Sequence, residues 1–437
     1  MFRNADEVYS YLDKFLNFER KLEPTEYRLD RMQSLQKLYG YPDSAYRVVH
    51  VAGSKGKGST ATMIAAILGE SEGPVGLYTS PHLLSYTERI AIGGIPVDEA
   101  ILLDSAAELA ERFDPTTPGD FPGGETPTYF ELLTMLGFLC FRRAGCPSAV
   151  IEVGLGGRLD STNVVSPVAS VITPIELEHT ELLGDTIPKI AGEKAGIIKR
   201  GVPTFTSATK PDALEVIKAK ARKEFSELAV LDELAEIKSI DIGIDGTRAV
   251  VEWKDDRFVK HPMELFTPMI GAVQARNAVL AAMVTRSLGS TEDAIRHGLS
   301  KARLRARFEI IPGKPVVILD GAHTEDSIRA CSEDFGRLFP GGGQLIFGCA
   351  KGKSPRPMAA ALRPRFEEVI VTRPGTFKES DPDEITSAFI DAGFKVTRID
   401  DTSEAIRTAL SIAEANGKPL LVTGSFYLCG AAAAIIA

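Results

Sequence analysis

The segment from Val48 to Thr60 constrains this chain more than any other. An apolar, β-branched run, Val48-Val49-His50-Val51-Ala52, ends in Gly53-Ser54-Lys55-Gly56-Lys57-Gly58-Ser59-Thr60, and an alanine-rich stretch from Ala61 to Leu68 follows. That order predicts strand, glycine-rich loop and helix. In such a unit the glycines let backbone N–H groups close on an anion, and the helix N-terminus adds its positive end. A lysine at 57 can reach outer phosphates, and the hydroxyl of Ser59 or Thr60 can face a divalent cation. The spacing is G-x-x-G-K-G-S, with one glycine more between lysine and serine than the common phosphate-loop pattern. A glycine turn alone is often only a tight connection. Lysine, hydroxyl and strand–helix context together point to nucleotide phosphate.

At 437 residues the chain exceeds one ordinary core, so two or three domains are expected. Its net charge of −9, without a basic tract, argues against a nucleic-acid surface, so an anionic substrate would need local Lys and Arg. The cysteines at 140, 146, 331, 349 and 429 form no C-x-x-C pair and sit in apolar segments. They read as reduced thiols, which predicts a cytoplasmic protein. Met1 to Glu7 lacks the apolar core of a signal peptide, and no run of about 18 apolar residues suggests a membrane span.

From Arg47 to about Thr206 the pattern alternates. Strands are expected at Arg47–Ala52, Val75–Thr79, Ala149–Val153, Ala169–Thr173 and Pro203–Thr206. Helices are expected at Thr60–Gly69, Asp98–Phe113, Tyr129–Ala144 and Thr186–Ile198. Strands apolar on both faces, separated by helices, predict a doubly wound parallel sheet covered on two sides. Pro115 to Pro127 reads as a loop. Residues 228–262, with alternating pieces around Asp245-Gly246, read as a small antiparallel β insertion. A second α/β run follows, with strands at Val316–Leu319, Gln344–Gly348, Glu368–Thr372, Lys395–Ile399 and Pro419–Thr423. Helices are expected between them, and the apolar end Ala431–Ala437 reads as a helix end packed on a sheet. The expected domains are residues 1–300 and 301–437, joined near the basic stretch Leu299–Arg307. Ligands in such folds bind at the carboxyl ends of strands, so a site in the cleft between the domains is expected.

Several polar residues stand at strand ends. Glu152 closes an apolar strand before Gly154-Leu155-Gly156-Gly157-Arg158; it is either a buried ion-pair partner or a magnesium ligand. Ser80 ends the strand beside the phosphate loop and reads as a metal ligand or a turn cap. His179 follows the strand Ala169–Thr173, where a structural role and a ligand role are evenly balanced. By pattern Lys194 is an ordinary helix lysine. Asp320 and His323 close the first strand of the second domain, as a strand-end cap or as nucleotide or catalytic contacts.

These pieces, in this order, resemble the folylpolyglutamate synthase and dihydrofolate synthase family of the Mur ligase superfamily. The resemblance runs from Tyr27-Arg28-Leu29-Asp30-Arg31-Met32 and the phosphate loop through Thr79-Ser80-Pro81-His82-Leu83 and Glu88-Arg89-Ile90. It continues through Glu152 to Asn163, Gly192-Glu193-Lys194-Ala195-Gly196-Ile197, Asn277-Ala278, Asp320-Gly321-Ala322-His323 and Val422-Thr423-Gly424-Ser425. The family it resembles uses ATP to phosphorylate a substrate carboxylate. The amino group of L-glutamate then attacks the acyl phosphate.

The resemblance implies that Gly53, Gly56, Lys57, Gly58 and Ser59 cradle the triphosphate of ATP. Asn277, Arg307 and Asp320 match nucleotide contacts. Ser80 and Glu152 match ligands of one Mg2+, His179 a ligand of a second, and Lys194 a lysine carried as a carbamate. Lys57, Lys194 and His323 are the expected catalytic groups. Thr128, Tyr129, Phe130, Glu131, Leu159, Asp160 and Ser161 match segments lining the pterin side. The implied substrate is dihydropteroate, a tetrahydrofolate, or both, and a monomer is implied. Four departures stand out. Ser54-Lys55 replaces a usual Thr-Asn, Val273 a usual His, and Leu304-Arg305-Ala306-Arg307 a usual Trp-Pro-Gly-Arg. Thr324 replaces the Asn after Asp-Gly-Ala-His. They leave open a Mur-type ligase for another carboxylate, and a nucleotide-binding module with little turnover.

Overall fold

The computed structural model describes residues 2–17, 28–255, 258, 261–375 and 378–436. Tyr27, Ala437 and residues 256, 257, 259 and 260 of the expected insertion lie outside them. The chain divides into two compact units. The first holds residues 1–239, 249–266 and 276–302, the second residues 240–248, 267–275 and 303–437.

Eight strands form the sheet of the first unit: β1 (Arg47–Ala52), β2 (Gly76–Tyr78), β3 (Ile90–Ile92), β4 (Ile95–Pro96), β5 (Ser148–Glu152), β6 (Ala169–Ile172), β7 (Thr204–Thr206) and β8 (Leu228–Val230). Their order is β4-β3-β2-β5-β1-β6-β7-β8. β2 and β5–β8 run parallel around β1, while β3 and β4 add an antiparallel edge. The parallel strands are β-branched and buried along both faces, as the doubly wound reading expects. Val51 is paired with Glu152 on one side and Val171 on the other, so the carboxyl ends of β5, β1 and β6 lie side by side.

Helices cover the sheet. Tyr129–Arg143 starts from a capping box, Thr128 with Glu131, and buries nearly its whole surface, including Phe138 and Phe141. Truncating one such ring would cost about 3–5 kcal/mol. Lys57–Glu72 is buried almost all round, and Gly298 lets the helix Glu292–Lys301 lie against it: a Cβ there would meet the Ile67 backbone at 2.4 Å.

The three-stranded sheet consists of β9 (Ala235–Gly243), β10 (Gly246–Trp253) and β11 (Met263–Thr267), with β9 and β10 joined by the turn at Ile244-Asp245. This corrects the expected insertion at 228–262. Leu228–Val230 is instead the parallel edge strand β8, paired with β7. Short apolar strands look alike whichever sheet they join.

The second unit carries β12 (Glu309–Ile311), β13 (Val317–Leu319), β14 (Gln344–Phe347), β15 (Glu368–Val371), β16 (Lys395–Arg398) and β17 (Leu420–Thr423), in the order β12-β13-β17-β14-β15-β16. All pair in parallel except β12 with β13. Its core is aromatic: Phe347 lies 4.8 Å from Phe389, and Phe335 4.8 Å from Phe366, centroid to centroid. The apolar C-terminal stretch belongs to the helix Phe426–Ile436. Among the described residues no helix is long and apolar enough to cross a membrane.

Candidate active site

β1 runs into Gly53, whose φ is +147°; a Cβ there would lie 1.9 Å from Thr173 Oγ1. Only glycine lets the end of β1 pass the end of β6 this closely. Gly56, at φ +83°, then turns the chain into the helix. That helix begins at Lys57, three residues earlier than its sequence suggests, so Lys57, Gly58 and Ser59 form its first turn. The backbone N–H groups of a first turn have no intrahelical partner, which is what an anion requires. Asn277 faces this turn, since a Cβ on Gly56 would meet its Oδ1 at 2.8 Å. The loop is tied to the chain after β6: Ser54 N–H donates to the Pro174 carbonyl (2.8 Å), Ser54 Oγ to the Glu176 carbonyl (3.1 Å), and Glu176 N–H to Ser54 Oγ (3.0 Å).

Beside the loop, Glu152 is buried at the end of β5 and accepts the Ser80 N–H at 3.1 Å. The two residues expected to share a cation are thus brought together. Among the described residues no three His, Cys, Asp or Glu side chains gather as a metal site. Glu152 and Ser80 offer oxygen donors, the kind that a magnesium ion takes. His179 takes a left-handed conformation (φ 48°) at the start of a short helical turn, where it is exposed.

Lys194 overturns the reading of an ordinary helix lysine. It is 1% exposed, and its Nζ donates to the Gly53 carbonyl (2.8 Å) and to Glu178 Oε1 (2.9 Å). Burial lowers its pKa; Glu178 opposes that shift and Lys57 adds to it. Burial alone would raise the Glu178 carboxyl, but the charges of Lys57, Lys194 and Lys55 hold it well below its ordinary range. Glu178 drew no notice in the sequence. Its signal was its place two residues after Glu176, on a strand-end segment beside a lysine-bearing loop.

The glycine loop after β5 lies on the Lys194 helix, since a Cβ on Gly157 would meet the Glu193 carbonyl at 2.7 Å. Asp160 is buried and accepts the N–H groups of Leu155 (2.8 Å) and Thr162 (3.0 Å); burial raises its pKa against those bonds. Ser161 Oγ contacts Thr134 Oγ1 at 2.9 Å. Thr128 caps its helix, Glu131 pairs with the buried Arg31 (3.2 Å), and Tyr129 is fully buried. Phe130 and Leu159 are only half-buried. Of the residues matched to the pterin side, most contribute contacts within the fold, and Phe130 and Leu159 keep accessible surface.

In the second unit, Asp320 follows β13 and accepts the N–H groups of Phe308 and Ala322, both at 2.8 Å, as a strand-end cap does. Burial raises its pKa against those bonds and the charge of Arg307. The Arg307 guanidinium lies 5.3 Å from the Phe426 ring centroid, and His323 Nδ1 is 2.9 Å from the Gly321 carbonyl. Arg307, Asp320 and His323 thus share one edge of this unit.

Two family models match: Mur ligase middle domain over residues 51–285, and Mur ligase, glutamate ligase domain over residues 306–426. The folylpolyglutamate synthase of Lacticaseibacillus casei is 34% identical, over 98% of this chain and 97% of that protein. A Mycobacterium tuberculosis folylpolyglutamate synthase complexed with ADP and AMPPCP superposes with a TM-score of 0.87 at 29% identity, over 98% of this chain and 97% of that one. An FPGS–AMPPCP–folate complex superposes with a TM-score of 0.79 at 30% identity, over 99% of this chain and 100% of that one. In length, fold and order of motifs alike, the chain belongs to the folylpolyglutamate synthase family of the Mur ligases, which are ATP-dependent acid–amino-acid ligases.

Proposed function

We propose that this protein joins L-glutamate to the carboxylate of a folate. ATP transfers its terminal phosphoryl group to a substrate carboxylate oxygen, releasing ADP. The glutamate amine attacks the acyl carbon, the C–O bond to phosphate breaks, and an amide, inorganic phosphate and a proton result. The single observation that carries this reading is the phosphate loop, with Lys57 in the first turn of its helix and the buried Glu152 on the neighbouring strand end.

Gly53, Gly56, Lys57, Gly58 and Ser59 would cradle the triphosphate, with Asn277 beside them. Lys57 would stay on the transferring group, where offsetting charge is the main lever. Ser80 and Glu152 would hold one magnesium ion and His179 a second; when bound, magnesium offsets phosphate charge and orients the phosphates. Lys194 is read as a carbamate. A buried amine of lowered pKa is more often neutral, and addition of CO2 yields N–COO− and a proton. Arg307 and Asp320 are assigned to the nucleotide and His323 to the reacting groups. Thr128 to Glu131 and Leu159 to Ser161 are assigned to the pterin side. The functional domains are read as 1–300 and 301–437, and the protein as a cytoplasmic monomer without nucleic-acid partners. All five cysteines are reduced and buried, in keeping with that compartment.

The test is phosphate release from Mg-ATP with L-glutamate and either tetrahydrofolate or dihydropteroate. Glutamate-dependent release with tetrahydrofolate is expected. Release with neither pterin would sink the reading, and release with dihydropteroate alone would reassign the substrate.

A further inference from the structure

His50 breaks the pattern of the strand that carries it. β1 is otherwise aliphatic at its centre, and His50 is fully buried there, in register with Ile151 on one side and Ser170 on the other. Its Nε2 lies 2.9 Å from Oγ1 of Thr162, also fully buried. Among the described residues its Nδ1 has no hydrogen-bond partner. The Thr162 hydroxyl in turn donates to Asp160 Oδ1. Both Asp160 oxygens act as acceptors, since the Thr162 N–H also meets Oδ1 (3.0 Å) and the Leu155 N–H meets Oδ2 (2.8 Å). The hydroxyl has one proton and gives it to Asp160, so its oxygen accepts from His50. The ring is therefore the Nε2–H tautomer with a bare Nδ1. Burial, with the charge of Lys199 added, holds its pKa down to about 3 and keeps it neutral. Valine or isoleucine here would leave no polar atom unpaired. A strand that tolerates such an atom at its centre points to a use for it.

We propose that His50 is a positioning residue for the pterin-side turn: it donates to Thr162, which aims its hydroxyl at Asp160 and fixes that carboxylate against the Phe130 ring. This rests on the reading of Phe130 and Asp160 as pterin-side residues of a folate ligase. The two lie together, since a Cβ on Gly154 would meet the Phe130 ring at 2.4 Å and Asp160 Oδ2 at 3.3 Å. Without a donor from His50 the Thr162 hydroxyl can rotate away, and Asp160 loses the bond that sets its torsion. His50 also stands three residues before Gly53 on the same strand. One strand thus leads into the phosphate loop and, through this side chain, holds the turn on the pterin side.

The test uses the full-length protein with isotope-labelled histidine, followed by NMR from about pH 5 to 8. The histidine signal that disappears in His50→Gln should show a protonated Nε2 and a bare Nδ1 throughout. An imidazolium, or a proton on Nδ1, would overturn the proposal. In turnover assays with Mg-ATP and L-glutamate, His50→Leu, of similar size, should raise KM for tetrahydrofolate about three- to tenfold. Its kcat and KM for ATP should stay within about twofold of wild type. Thr162→Val should do the same, and H50L/T162V should be no worse than the worse single variant, because both break one chain. H50Q keeps an N–H donor at the same reach and should recover most of the loss seen in H50L. A purely structural role would instead lower the melting temperature and move KM for ATP and for tetrahydrofolate together. That outcome, or an unchanged KM for tetrahydrofolate, overturns the proposal. Should H50L fail to fold, the isosteric T162V, its Thr162→Ser control and the ring tautomer still decide the matter. If Asp160→Asn leaves KM for tetrahydrofolate unchanged, the pterin-side reading falls and the hydrogen-bond chain stands. Absence of glutamate-dependent phosphate release would sink the ligase reading, with the tautomer still deciding the chain.

Discussion

The carboxyl ends of the two parallel sheets handle buried charge differently. In the first unit, Glu152, Glu178 and Lys194 are enclosed beside a glycine loop: Glu152 accepts the Ser80 N–H, and Lys194 donates to the Gly53 carbonyl and to Glu178. In the second unit, Asp320 is as deeply set, but two backbone N–H groups satisfy it. The same topology thus carries one edge where buried acids and a buried lysine gather and one where two backbone N–H groups hold a carboxyl. Burying charge is costly even where it is paired. Its concentration at the first edge marks where polyphosphate and cation belong.

The sharpest way to break this comparison is to remove the loop cation. Lys57→Ala should lower kcat/KM for ATP by roughly 10³-fold, about 4 kcal/mol, with little change in melting temperature. A loss below tenfold would mean that the first edge is not where phosphate charge is offset. Glu152→Gln should lower kcat by roughly 10²-fold and raise the magnesium concentration needed for half-maximal rate. An unchanged magnesium profile would remove Glu152 from the cation site and make it a strand-end cap only.

Legibility in the sequence followed the same division. The phosphate loop, the strand Ala149–Val153 and the second α/β run could be read because their periodicity and glycine spacing are local properties. The helix Ala272–Ser287 was passed over because it is apolar on nearly every face and shows no stripe. Pro211–Lys223 was legible and missed: it has proline in its first turn and buries Ala213, Ile217 and Ala221 at fourfold spacing. Leu228–Val230 could not be assigned, since three apolar residues do not reveal which sheet they join. Lys194 looked ordinary because burial is a tertiary property: Gly53 and Glu178 lie 141 and 16 residues away along the chain.

A backbone test sharpens the contrast at smaller amplitude. Gly53→Ala places a Cβ 1.9 Å from Thr173 Oγ1 at a φ of +147°. A destabilisation of about 2–3 kcal/mol is expected, read as a lower denaturant midpoint at unchanged slope. Adding Thr173→Ala removes the hydroxyl but leaves the Thr173 Cα at 3.1 Å, so about 1 kcal/mol should return. Strict additivity of the two changes would show that the close approach of β1 to β6 does not set the loop.

The smallest effect concerns the second unit. Asp334 packs where a Cβ on Gly271 would meet its Oδ2 at 2.7 Å. Burial raises its pKa to about 6; Arg337 opposes this, while Asp320 and Glu333 add to it. A carboxyl whose folded pKa lies above its unfolded value binds its proton more tightly when folded. Its contribution is therefore full below about pH 4 and is lost as pH rises through about 6. Asp334→Asn should abolish that slope and stabilise the protein by about 1 kcal/mol at pH 7.5, once the partial exposure of the group is discounted. The measurement is the urea midpoint of both proteins at pH 5 and 7.5. If D334N gains nothing at the higher pH, Asp334 is already satisfied when ionised, and the second edge neutralises its charges more completely than Asp320 alone reveals.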